Sequence, residues 1–235
     1  MFVHGLAGDA GELSALAGAV AGSRALLSWR GHGSSTDMPR LWDYPLLAAD
    51  LSAAADVVGA GHAVGASMGA GAVLRVLLDS PGRFGRIVLL TPSVLDVADG
   101  ADPELLGLNP LADLVEVGDV AALAAELLAR LPAAVRSRPA VAERLTRAQA
   151  ARLVQRPPAR GVPGATPVRD RAELSTVDTP ALVIAQQGDP LHPVEIAEQL
   201  AEVLPAASLV VLPEGGLHFT DRLRARALVG DFLCG

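Results

Sequence analysis

Residues 62–71, His62-Ala63-Val64-Gly65-Ala66-Ser67-Met68-Gly69-Ala70-Gly71, decide the reading of this chain. They carry a G-x-S-x-G pentapeptide, Gly65 to Gly69, between an apolar run and an amphipathic stretch. A nucleophile on a sharp strand-to-helix turn sits in strained backbone where flanking side chains would collide, so glycine on both sides suits it. Gly71 continues the small residues into the helix and lets that helix pack closely on a sheet. The helix N-terminus beneath Ser67 also offers free N–H groups to a developing anion. The bland alternative is a capping serine in a glycine-rich turn; the strand–helix context favours the nucleophile.

Working outward, short apolar runs alternate with amphipathic stretches, the pattern of βαβ units and a parallel sheet. Strands are expected at Met1–His4, Ala25–Trp29, His62–Ala66, Arg86–Thr91, Ala181–Gln186 and Ser208–Leu212. They are rich in Val, Leu and Ile with little polar alternation, as in strands covered on both faces. Helices are expected at about Gly11–Ala21, Tyr44–Val58, Met68–Asp79, Pro193–Leu204 and Thr220–Phe232. In the helix from Tyr44, the spacing of Leu47, Leu51, Ala54 and Val58 predicts one buried face. Residues 94–178 contain helical patterns, including Val120–Leu131 and Val141–Val154, and no convincing strand. Such an excursion reads as a helical cap inserted into a core formed by residues 1–93 and 179–235. Gln155–Thr166 reads as a loop. The fold expected is α/β, with a mostly parallel sheet of about six strands.

Composition excludes several classes. The chain has 235 residues, 51% hydrophobic and 19% charged, which is too apolar for disorder. Its 19 basic and 26 acidic residues give a net charge of -7, without the basic excess that nucleic acid needs. Cys234 is the single cysteine, so no internal disulfide framework or multi-cysteine metal site is expected. Residues Val57 to Leu74 lack Asp, Glu and Arg, but five glycines punctuate them, and a lipid-facing helix is not so interrupted. The N-terminus has no basic, long-apolar leader, and the cytoplasm is the expected location. Ten Arg lie between residues 130 and 171, either to clamp an anionic substrate group or as solvated helix faces.

A serine hydroxyl needs a base. His218, in Gly215-Gly216-Leu217-His218-Phe219, follows the last strand, at the sheet edge where open α/β sheets bind ligands. His62 begins the strand that leads to Ser67 and lies near its far end. The third member should be a carboxylate that orients the imidazole. Asp189, after the strand Ala181–Gln186, fits the order Ser67, Asp189, His218; Asp96 is the alternative acid. His4-Gly5-Leu6-Ala7-Gly8 follows the first strand, and one N–H of this turn, with that of Met68, would form an oxyanion hole.

With these motifs in order, the chain resembles the α/β-hydrolase superfamily, in its compact bacterial form with a helical cap. Trp29-Arg30-Gly31-His32-Gly33-Ser34-Ser35 resembles that family's R-G-H-G-x-S loop, and Pro180 to His218 its terminal acid–histidine module. The resemblance implies Ser67 as nucleophile, His218 as base, Asp189 as acid, and the N–H groups of Leu6 and Met68 as the oxyanion hole. It implies a structural role for His32, and a serine in place of the aspartate of dehalogenases and epoxide hydrolases. Family members usually begin with an antiparallel hairpin, and here Met1 is three residues from His4. That leaves the Ala25–Trp29 strand at an edge, to be covered by a second copy in a homodimer or by a loop unless translation starts upstream.

The function expected is a serine hydrolase acting on a small-molecule ester, thioester or lactone, with no cofactor, no metal, no nucleic acid and no membrane. Its activity should fall as His218 becomes protonated, around pH 6–7. The alternatives are a carbon–carbon bond hydrolase, lyase or cofactor-free biosynthetic enzyme on the same fold, and a catalytically silent ligand-binding module.

Overall fold

The computed structural model describes residues 1–36, 42–93, 95–96, 109–155, 166–189 and 191–235. Six strands form one parallel sheet: β1 (Phe2–Val3), β2 (Leu26–Leu27), β3 (His62–Ala66), β4 (Arg86–Leu90), β5 (Ala181–Gln186) and β6 (Ala207–Leu212). Their spatial order is β2-β1-β3-β4-β5-β6. The register sets Phe2 against Val64, Val64 against Val88, and Val88 against Leu182. The chain reverses direction across the sheet between β1 and β3, and the ends of those two strands supply the functional loops.

The inner strands β3, β4 and β5 are apolar between their ends because both faces are covered. On one face Ala63, Ile87, Leu89, Val183 and Ala185 join a cluster with α2 (Tyr44–Val58), α3 (Met68–Asp79) and α8 (Val194–Val203). On the other, Val64, Val88, Leu90, Leu182 and Ile184 pack against α1 (Ser14–Ala17) and α9 (Arg222–Cys234). Between β4 and β5 lie α4 (Asn109–Val117), α5 (Val120–Arg130), α6 (Ala133–Arg136) and α7 (Pro139–Gln155), followed by a 3₁₀ turn, Arg171–Thr176. Leu123, Ala124, Ala150 and Leu153 give these helices a small core of their own, against which Ala7 packs.

Most expected elements form where periodicity sets them, with three departures. The helix expected over Gly11–Ala21 contracts to α1, because residues before Ser14 fold into turns such as Glu12 N–H to the Asp9 carbonyl, 3.0 Å. In α2 the buried face is Tyr44, Leu47, Ala48, Leu51 and Ala55, while Val58 is exposed. The Asp43 carboxylate caps that helix by accepting the Leu46 N–H at 2.9 Å, and Gly59 ends it in the left-handed conformation at φ 63°. The edge strand β2 has only two residues, a length that limits edge-to-edge pairing. The loop expected over Gln155–Thr166 lies, apart from its two end residues, outside the described residues.

Candidate active site

Ser67 stands between the last residue of β3 and the first of α3, with φ 49° and ψ −115°, a region that non-glycine residues rarely occupy. Its neighbours explain why the turn closes. A Cβ on Gly65 would lie 2.4 Å from the Gly69 carbonyl oxygen, and one on Gly69 would lie 2.5 Å from that of Val3. Glycine at both positions lets β3, α3 and β1 approach to backbone contact. The Ser67 N–H donates to the Leu90 carbonyl at 2.9 Å, which pins the turn to β4.

The ring that meets Ser67 is that of His192. Its Nε2 lies 2.9 Å from Ser67 Oγ, and its Nδ1 lies 2.8 Å from Asp189 Oδ2. With Nδ1–H donating to the carboxylate, Nε2 is left to accept the serine proton. Asp189 Oδ1 accepts the Leu191 N–H at 3.0 Å. Burial pushes the Asp189 carboxyl up, but the His192 hydrogen bond and charge, with the N–H groups of Leu191 and His192, outweigh it and hold its pKa below the usual value. All three side chains are linked, and Asp189 and His192 come from one loop after β5.

His218, the base expected from the sequence, is not the ring hydrogen-bonded to Ser67. His218 lies in a π-helical turn, Gly216–Thr220, after β6, and its side chain makes no hydrogen bond among the described residues. Its ring stands edge-on to Phe219, with centroids 6.3 Å apart. Although the His218 side chain is exposed at the surface, neighbouring protein lowers its imidazole pKa; the Asp189 charge raises it and His192 lowers it, so His218 stands within electrostatic reach of both. The sequence reading sought base and acid on separate loops and gave His192 no role. The signal was the spacing: three residues after Asp189, one tight turn folds the His192 ring back onto the carboxylate.

Asp96, the alternative acid, is committed elsewhere. It is buried, accepts the Arg171 N–H and Nε–H on Oδ2 at 2.9 Å each, and takes Nη2–H on Oδ1 at 2.8 Å. His62 is exposed at the start of β3, away from the end that carries Ser67.

The turn after β1 lies directly on Ser67. A Cβ on Gly5 would stand 3.2 Å from Ser67 Cβ. Among the described residues, neither Leu6 N–H nor Met68 N–H donates a hydrogen bond outside the regular elements. His4 and His32 hold the turn from behind. His4 Nδ1–H donates to the Gly5 carbonyl at 2.7 Å, while its Nε2 accepts the Trp29 N–H at 3.3 Å. Burial drives the His4 pKa down to about 4, so the ring is neutral, as this arrangement requires. His32 Nε2 accepts the Ala7 N–H at 3.3 Å, and its Nδ1–H donates to the Arg30 carbonyl at 3.1 Å.

Arg152 of α7 reaches Asp9 of the same turn at 2.8 Å and ties the helical segment to the loop after β1, while Arg171 and Asp96 join the two ends of the segment between β4 and β5. No group of three or more His, Cys, Asp or Glu able to hold a metal ion occurs among the described residues. None of the described helices is long and apolar enough to cross a membrane.

Comparison with known proteins shows the family and the fold. A family model described as "Alpha/beta hydrolase family" matches residues 1–229. A protein of Pseudomonas savastanoi pv. phaseolicola described as "Putative carbamate hydrolase RutD" is 42% identical over 64 residues, 26% of this chain, and the match spans only 25% of that relative's length. An esterase of Exiguobacterium antarcticum superposes with a TM-score of 0.74 at 18% identity, over 100% of this chain and 91% of the other. Est816, described as an N-acyl homoserine lactone degrading enzyme, superposes at 0.70 with 21% identity over 97% and 90%. At these identities the solved structures establish a shared fold.

Proposed function

The chain belongs to the alpha/beta hydrolase family, and we propose that it is a serine hydrolase cleaving a small-molecule ester, thioester or lactone through Ser67, His192 and Asp189. The observation that carries this reading is the unbroken hydrogen-bond chain from Ser67 Oγ through both nitrogens of His192 to Asp189. Ser67 Oγ attacks the acyl carbonyl as its proton passes to His192 Nε2, and Asp189 stabilises the imidazolium. The developing oxyanion faces the N–H groups of Leu6 and Met68, each donor contributing about 3–4 kcal/mol in the transition state. The leaving alcohol or thiol takes the proton back from His192, which then activates water to hydrolyse the acyl-enzyme. The helices between β4 and β5 serve as the cap over this site. The esterase, lactone-degrading and carbamate-cleaving activities of similar proteins fit acyl transfer to water.

A fluorophosphonate probe should label the protein covalently, and Ser67→Ala should abolish both labelling and turnover of a p-nitrophenyl ester. Labelling without ester turnover would favour a lyase or carbon–carbon bond cleavage. Absence of both would leave the binding module.

A second reading keeps His218 as the base. It is supported by the place of His218 in the loop after β6, within electrostatic reach of Asp189 and His192.

A further inference from the structure

The mechanism leaves Glu12 unused, although this carboxyl is lodged in the turn that covers Ser67. A Cβ on Gly8 would stand 1.9 Å from Glu12 Oε2 and 3.0 Å from His4 Nδ1, so the carboxyl occupies the space that glycine leaves open. Gly8 in turn donates its N–H to the Gly5 carbonyl at 3.2 Å, so the carboxyl abuts a residue bonded to the peptide plane that carries Leu6 N–H. The charged and titratable groups that face it are Asp9 of the same turn, Arg152 of α7, His192 of the loop after β5, and His4 at the end of β1.

We propose that Glu12 is a positioning residue for the oxyanion turn: lodged against Gly8, whose N–H holds the Gly5 carbonyl, it sets Leu6 N–H toward the carbonyl on Ser67. Gly5 joins two peptide planes and, lacking a side chain, would otherwise leave both free to rotate. Glu12 backs Gly8, whose N–H holds the following plane, the one that carries Leu6 N–H, by its carbonyl. His4 Nδ1–H also holds the same carbonyl. A donor fixed in advance needs no reorganisation as charge develops on the substrate. The proposal rests on the reading of Leu6 as an oxyanion donor in a serine hydrolase.

The test measures kcat and KM on a p-nitrophenyl ester, the fluorophosphonate labelling rate and thermal unfolding for wild type, Glu12→Gln, Glu12→Asp and Glu12→Leu. Gln keeps the same reach and should retain kcat within about threefold. Asp, one methylene shorter, and Leu should lower kcat and the labelling rate by about tenfold or more, with KM within about twofold. Wild-type kcat in the Asp variant overturns the proposal, as does an equal loss in the Gln and Asp variants. If the Leu variant does not fold, the Gln–Asp pair decides. Wild-type protein that neither labels nor turns over ester overturns the hydrolase reading and this proposal with it. Active wild type with an indifferent Glu12 overturns this proposal alone.

Discussion

At the scale of single residues, the site turns on which of two imidazoles takes the serine proton. His192 has the geometry, 2.9 Å from Ser67 Oγ and 2.8 Å from Asp189; His218 has only the charge of Asp189 nearby. A general base works through hydrogen-bond reach, so geometry ranks first. His192→Gln should therefore lower kcat on a p-nitrophenyl ester by about a thousandfold or more, while His218→Gln stays within about tenfold. The reverse ranking would assign the base to His218 and reduce His192 to a residue that shields Asp189. The spacing Asp189-Pro190-Leu191-His192 was visible in the chain. Its meaning was not, because sequence does not show which way a loop folds.

At the scale of elements, the junction of β3 and α3 is the most constrained part of the molecule. Here reading and structure coincide residue for residue, since the strand His62–Ala66 and helix Met68–Asp79 meet at Ser67. The constraint comes from β1, whose carbonyls at Val3 and His4 would lie 2.5 and 2.8 Å from a Cβ on Gly69. Backbone atoms cannot give way as a flexible side chain can. Gly69→Ala should force α3 off β1 and destabilise the fold by about 1–3 kcal/mol. A lower urea midpoint with unchanged slope, together with slower fluorophosphonate labelling, would show it; an unchanged midpoint would contradict the contact. Elsewhere, local signals sufficed where caps were strong, as in α2 with Asp43 and Gly59, and overreached where turns competed, as before α1.

At the scale of the whole molecule, buried titratable groups around the turn after β1 link stability to pH. Burial, reinforced by the Asp9 charge, raises the Glu12 pKa from 4.5 to about 7, against the opposing pull of Arg152, the Gly5 N–H and His192. The folded chain thus holds this proton between about pH 4.5 and 7 when the unfolded chain has lost it, and stability from this group falls as pH rises. Glu12→Gln cannot ionise. Its unfolding free energy relative to wild type should rise by about 3 kcal/mol between pH 4.5 and pH 7 and then level off. A difference that stays constant with pH would mean that the carboxyl titrates as an exposed one does. His4 works in the opposite sense: with its pKa lowered to about 4, its contribution is present above pH 6.5 and is lost as pH falls toward 4. The Glu12 effect is therefore read as a difference between two proteins at each pH.

What the sequence determined by itself was the parallel sheet, the strand-to-helix turn at Ser67 and the place of Asp189 directly after β5. Each is written in a local pattern: runs of Val, Leu and Ile, glycines at fixed offsets from Ser67, and a polar turn after an apolar strand. What only the tertiary structure decided was the partnership of side chains distant along the chain, with His192 on Ser67, Arg171 on Asp96, and Glu12 in the space beside Gly8. Such contacts depend on how loops from separate strands close over the sheet edge. A difference of a few ångströms in loop path selects one imidazole over another, and no periodicity in the chain encodes that path.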